Sequence, residues 1–266
     1  MTRTRLVEQV EAEAMFMLLD GAPADVKARL GITTARLGGG VVLSMRNDPM
    51  DHWSKAVGFD VPVTADLVAE ICAFYRSMDA PLGILQFAPG TLPENWAEIV
   101  ADEHLTPGST VVKLVRDGKS IAPVDTGLKV GRVAAEQMDA WVDTYMRGFE
   151  IPEGDMARLL SAPFGHPDVR AYGAWDGDDI VGAAVLFVHG EAAQFAGAAT
   201  LPSHRGRGAQ SALTALRLTD GVESGVEWFS VETGRPAPGE QNPSLNNLRR
   251  LGFDVLYDRQ SWLWRS

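Results

Sequence analysis

Residues 200–213 read Thr200-Leu201-Pro202-Ser203-His204-Arg205-Gly206-Arg207-Gly208-Ala209-Gln210-Ser211-Ala212-Leu213. A strand-like apolar run ends at Pro202 and a helix-forming run begins near Gly208, so a short turn with two glycines joins strand to helix. Glycine adopts backbone conformations that other residues resist, which lets the turn curl until successive N–H groups point one way. The first N–H groups of a helix lack intrahelical acceptors and attract anions. Arg205 and Arg207 add cationic donors suited to phosphate. The stretch predicts a phosphate or pyrophosphate site; the same residues also suit an ordinary solvated turn.

An ATPase-type phosphate loop needs Gly-Lys-Ser/Thr after its glycines, but Ala209 and Gln210 follow Gly208. A dinucleotide fingerprint needs a third glycine where Ser211 stands. The pattern resembles instead the acyl-coenzyme A loop of the GNAT acetyltransferase superfamily: arginine or glutamine, two residues, glycine, one residue, then glycine or alanine. Arg205 and Gly208 match the first and fourth positions, while Gln210 departs from the small residue of the sixth.

Working outward, residues 128–134 read as a strand and 135–149 place apolar side chains at helical spacing. A short helix follows at 155–162. Residues 169–175, 180–188 and 192–200 read as an antiparallel meander. Past the loop come a helix at 208–221, a strand at 226–232, a helix at 244–251 and a strand at 253–264. This order is similar to that of a GNAT domain, as are Thr200-Leu201-Pro202 before the loop and a fourth-helix segment, Asn242 to Leu251, ending in Gly252-Phe253. Upstream, strands at 39–46 and 53–59 precede a helix at 65–78 with Thr64 as N-cap, a strand at 83–88, a helix at 93–104 and a strand at 109–116. The order helix, strand, helix, strand from Pro62 repeats from Pro202, which points to two copies of one α/β unit. The expected fold class is α/β (α+β): a GNAT-like mixed, mostly antiparallel sheet flanked by helices, in two tandem copies. The polar segment 116–127 is the predicted linker, giving a degenerate copy at 1–125 and an acetyltransferase copy at 126–266. The first copy has only Asp60-Val61-Pro62-Val63-Thr64 where the loop should be, without glycine or basic residue.

The resemblance implies an N-acetyltransferase that takes acetyl-coenzyme A as acyl donor and needs no metal. Its pyrophosphate would lie on Arg205, Gly206, Arg207, Gly208, Ala209 and Gln210, and its pantetheine beside Ala199, Thr200 and Leu201. Ser244 and Asn247 would also contact it, with helix capping as the other role open to Ser244. An N–H near Thr200 or Leu201 would meet the oxyanion. Glu232 is the first candidate for the base that deprotonates the amine, and Glu191 the second. The tyrosine usual on the fourth helix is replaced by Leu248, so Tyr257 is the nearest phenol to serve as acid. The acceptor pocket is expected from 136–164 and the interface with the first half. A non-catalytic acyl-coenzyme A binding module remains the alternative.

A net charge of −11 argues against nucleic-acid binding, which needs a basic surface. No apolar run approaches a bilayer span, and the apolar stretch Met15-Phe16-Met17-Leu18-Leu19 is too short for a signal peptide, so a cytoplasmic monomer or homodimer is expected. The five histidines show no metal-ligand spacing. Cys72, the sole cysteine, sits in an apolar run and reads as a small core residue.

Overall fold

The computed structural model describes residues 2–119 and 121–266; Ser120, inside the predicted linker, lies outside them. The chain opens with α1 (Arg3–Asp20), α2 (Ala24–Leu30), β1 (Ile32–Leu37), β2 (Gly40–Met45) and β3 (Lys55–Val57), then α3 (Ala65–Ser77), β4 (Leu82–Gln86), α4 (Trp96–Asp102) and β5 (Thr106–Asp117). After β6 (Lys129–Arg132) the succession repeats: α5 (Met138–Phe149), α6 (Asp155–Ser161), β7 (Val169–Asp176), β8 (Asp179–His189), a strand broken into β9 (Ala192–Gln194) and β10 (Ala198–Thr200), α7 (Ala209–Glu223), β11 (Trp228–Gly234), α8 (Pro243–Arg250) and β12 (Asp254–Arg265). The repeat is thus longer than the order from Pro62 and Pro202 indicates. The expected mixed, mostly antiparallel sheet flanked by helices is present.

Local chemistry accounts for the boundaries. Thr64 caps α3 by accepting from the Leu67 N–H at 3.2 Å. The Gly38-Gly39 pair closes the β1–β2 hairpin with both residues at positive φ, 52° and 80°, as a two-residue turn of this twist requires. Sequence periodicity does not reveal α1. Its inward face carries buried Glu8 and Glu11 among apolar residues, which blurs the apolar stripe. Cys72 is buried on the inner face of α3, and burial, with Glu103 nearby, pushes its thiol up to about 12.

All strands join one sheet in the order β1-β2-β3-β4-β12-β5-β11-β9-β8-β7-β6, with β10 beside β8. The order mirrors itself about the β12–β5 seam. β12, last in the chain, pairs with β4 from Ser261 on Gln86 to Arg265 on Leu82. β5, from the first repeat, pairs with β11 from Trp228 on Asp117 to Gly234 on Val111. Each repeat therefore hands its final strand to the other.

Helix α1 crosses the sheet, packing on β1 and β2 at one side and on β8, β9 and β11 at the other. It is held there by charge. Arg259 of β12 and Lys113 of β5 are fully buried. Arg259 donates from Nη1 to both Glu8 oxygens at 3.0 and 2.9 Å, and from Nη2 to Glu11 at 2.7 Å and Glu232 at 2.5 Å. Lys113 donates to the other Glu11 oxygen. Burial alone would raise the Glu11 carboxyl, but Arg259 and Lys113 together hold it well below the usual range.

Removing one member of such a cluster strands its partners. Arg259→Met should cost about 3–5 kcal/mol in urea unfolding, because Glu8 and Glu11 then face the core without their main counter-charge. Glu11 has a depressed folded pKa, so its contribution is complete above the unfolded value of roughly 4.3 and is lost as pH falls below it. Stability of the wild type should decline as pH drops through about 4, and Arg259→Met should flatten that decline.

Candidate functional site

β9 and β11 run parallel, with Trp228 on Ala192, Phe229 on Ala193 and Ser230 on Gln194. Phe195 N–H still reaches Ser230 O at 2.9 Å. Beyond that point the strands part: β10 follows β8, while β11 follows β5. The continuous strand expected over 192–200 is thus broken at 195–197. The break needs a glycine. Gly197 has φ +106°, and a Cβ there would lie 2.1 Å from the Tyr145 hydroxyl. Leu201 N–H is taken by Val181 O at 2.9 Å, so it is not free for an oxyanion. Alternation along an antiparallel pair then turns the amides of Ala198 and Thr200 away from β8, toward the opening.

The opening leads into a cavity of about 1110 Å³. One end is the start of α7. Gly206 and Gly208 have φ +78° and +82°. Among the described residues, the N–H groups of 206–211 donate to no backbone or side-chain acceptor, and Gly208 provides no side-chain cap. Unsatisfied donors at the start of a 15-residue helix suit an anion. The matching helix of the first repeat, α3, is closed by Thr64.

The loop side chains divide. Arg205 lines the cavity, with Nε on Thr200 O at 3.3 Å. Arg207 does not line it; its guanidinium sits on Asp176 at 2.5 Å, beside His204. Gln210, the departure from the small residue, folds over to donate to Thr200 Oγ1 at 2.7 Å. Ala199, Thr200, Gly206, Gly208 and Ala209 line the cavity; Leu201 does not. On α8, Asn242 is the cap, accepting from Leu245 N–H at 3.1 Å. Ser244 is therefore not spent on capping, and it lines the cavity with Asn247 and Leu248.

The candidate acid and bases separate further. Tyr257 is not on the cavity: its hydroxyl donates to Glu8 at 2.5 Å, and burial first, then the Glu8 charge, pushes the phenol far up. Glu191 is exposed in the β8–β9 turn, at the closed end of the strand pair. Glu232 does line the cavity, with Oε2 on Arg259 and Oε1 4.0 Å from Lys55 Nζ.

The other end of the cavity was foreshadowed only in outline. The expected 136–164 region supplies Trp141, Tyr145, Phe149 and Phe164, and the first repeat supplies Met15, Leu18, His52, Trp53 and Lys55. Lys55 lies in the strand-like run 53–59 and His52 just before it, with no motif around either, so no sequence signal marks them. His52 is exposed, and its imidazole is pushed down from its ordinary value, first by desolvation on the side facing the protein, then by Lys55, with Glu11 opposing. Arg217 of α7 also reaches the cavity, held by the carbonyls of Leu213 and Val185 and lying over Phe195. Among the described residues no cluster of His, Cys, Asp or Glu is placed to hold a metal, and no helix is long and apolar enough to cross a membrane.

If 206–211 form an anion cradle, inorganic pyrophosphate should raise the melting temperature of the protein. Gly208→Val places a β-branched residue at φ +82° within 3.3 Å of Thr126 Oγ1, and should remove the pyrophosphate-dependent rise whatever it does to the baseline. An unchanged rise would mean that the cradle lies elsewhere.

No family model matches the chain, and no curated protein matches it by sequence. Solved structures do. A GCN5-related N-acetyltransferase from Kribbella flavida aligns over 100% of this chain and 96% of its own, at 19% identity and TM-score 0.67. A putative GNAT-family acetyltransferase from Novosphingobium aromaticivorans covers 98% and 99%, at 15% identity and TM-score 0.59. A tandem GNAT protein from the clavulanic acid biosynthesis pathway covers 97% and 95%, at 16% identity and TM-score 0.57. With its repeated unit, parted parallel strands and open helix start, the chain has the fold of the GCN5-related N-acetyltransferases.

Proposed function

We propose that this protein transfers an acyl group, acetyl in the simplest case, from coenzyme A to the nitrogen of an amine. One observation carries the reading: the gap between β10 and β11 joins, in a single cavity, an anion-binding helix start and a second chamber walled by the first repeat. A long thioester with a pyrophosphate at one end matches the first part, and an acceptor matches the second. The 126–266 segment supplies the donor half of this site. The 1–125 segment, whose own helix start is capped, supplies α1, His52, Trp53 and Lys55 to the acceptor half.

The chain's residues divide the work. Amides of 206–211 and the guanidinium of Arg205 hold pyrophosphate. The amides of Ala198 and Thr200 face the gap, where they can pair with the pantetheine or receive the oxygen that becomes negative. Glu232 keeps one oxygen on Arg259 and presents the other to the cavity, where it takes a proton from the incoming ammonium directly or through water. The freed amine attacks the carbonyl carbon; the N–C bond forms, the C–S bond breaks, and the nitrogen's remaining extra proton passes to the departing thiolate, directly or through water. Leu248 cannot donate a proton and Tyr257 is committed to Glu8. A thiol of ordinary pKa near roughly 8.5 leaves without such help. Those same two facts favour a second reading, a non-catalytic acyl-coenzyme A binding module, which release of free thiol in the presence of an amine panel would exclude.

Calorimetry with coenzyme A should give one site per chain, and two equal sites would contradict the role given to the first repeat. Arg205→Ala should weaken binding by about 1–3 kcal/mol, the scale of a charge-assisted hydrogen bond. Glu232→Gln should lower turnover by about 10²–10⁴-fold, the range for a positioned base, with coenzyme A affinity unchanged. An equal loss of affinity would assign Glu232 to the ion cluster alone.

A further inference from the structure

Lys55 is 4% exposed, yet its ammonium has no hydrogen-bond acceptor among the described residues. The nearest carboxylate oxygen, Glu232 Oε1, is 4.0 Å away. The other two cations of the cluster, Arg259 and Lys113, donate directly to carboxylates. An ammonium carries three donors, and among the described residues none of those of Lys55 meets an acceptor at hydrogen-bond distance. Lys55 opens onto the cavity beside Glu232, so the acceptor it lacks can be supplied by a ligand.

We infer that the acceptor is an α-amino acid with a large apolar side chain, whose carboxylate is received by Lys55. The inference rests on the acyltransferase reading above and names its substrate class. Geometry and charge agree on it. An ammonium and a carboxylate on one carbon can address Glu232 Oε1 and Lys55 Nζ together across their 4.0 Å separation. The cluster is already balanced, with Glu8, Glu11 and Glu232 against Lys55, Lys113 and Arg259. A zwitterion leaves the balance of the cluster unchanged, whereas a simple ammonium adds a positive charge beside Lys55. The walls beyond are apolar: Met15, Leu18, Trp53, Trp141, Phe149 and Phe164. They suit an aromatic or long aliphatic side chain and offer a small polar one nothing.

The test uses the full chain, acetyl-coenzyme A as donor and thiol release as readout. L-Tryptophan and L-phenylalanine are compared with tryptamine and phenethylamine, which differ by the carboxylate alone. In the wild type, kcat/KM should favour each amino acid over its amine by at least about tenfold. Lys55→Met should shrink that ratio by roughly ten- to a hundredfold, and Lys55→Arg should restore part of it. A ratio taken within one sample does not depend on how much of the variant is folded. Equal or better use of the amines by the wild type, or a ratio unmoved in Lys55→Met, overturns the inference. Calorimetry separates the two layers without any variant. Coenzyme A binding without binding of L-tryptophan to the loaded protein sinks the substrate class alone; absence of coenzyme A binding sinks the acyltransferase reading itself.

Discussion

Arg259 lies at the centre of the sheet, fully buried, on a strand that closes the second repeat in sequence and pairs with the first repeat in space. Its guanidinium gathers carboxylates from α1 and from β11. Taking these charges out of water costs several kcal/mol per ion, and the cost is offset here because Arg259 and Lys113 donate directly to the carboxylates of Glu8, Glu11 and Glu232. Three things follow from meeting them. The exchanged strand β12 is fixed in place, α1 is held across the sheet, and one wall of the cavity is set by a helix from the other repeat.

The exchange and the gap between strands are consequences of different local causes. β5 occupies the edge of β11 that faces away from β9, so β11 is held from that side along its whole length. β10 is held by β8 alone. With Gly197 giving room to Tyr145, the chain turns out of the β9 line, and two strands that begin as partners end as the sides of an opening. In the first repeat β3 ends at Val57 and the next helix is capped by Thr64, so the same topology yields no open helix start.

Glu232 links the two systems. One oxygen belongs to the buried cluster and the other faces the cavity near Lys55. A carboxylate anchored at one oxygen keeps a fixed direction, which is what taking a proton from a particular nitrogen would require. The anchor is itself a cation, so the contact that orients the carboxylate also supplies its counter-charge.

The sequence by itself determined the glycine-rich turn that opens α7, because two glycines, an arginine and a helix start are local features read from adjacent residues. It also determined most elements and their repetition, since apolar periodicity and caps such as Thr64 are local too. It did not reveal α1, whose buried face carries Glu8 and Glu11 and so lacks a clean apolar stripe. Long-range pairing decided the rest. The fate of Arg207 depends on Asp176, and that of Tyr257 on Glu8, residues distant in sequence. Lys55 reads as one lysine in a strand until folding buries it beside Glu232 with no acceptor of its own. Charge in a low-dielectric interior is set by which groups meet there, and only the tertiary structure decides that meeting.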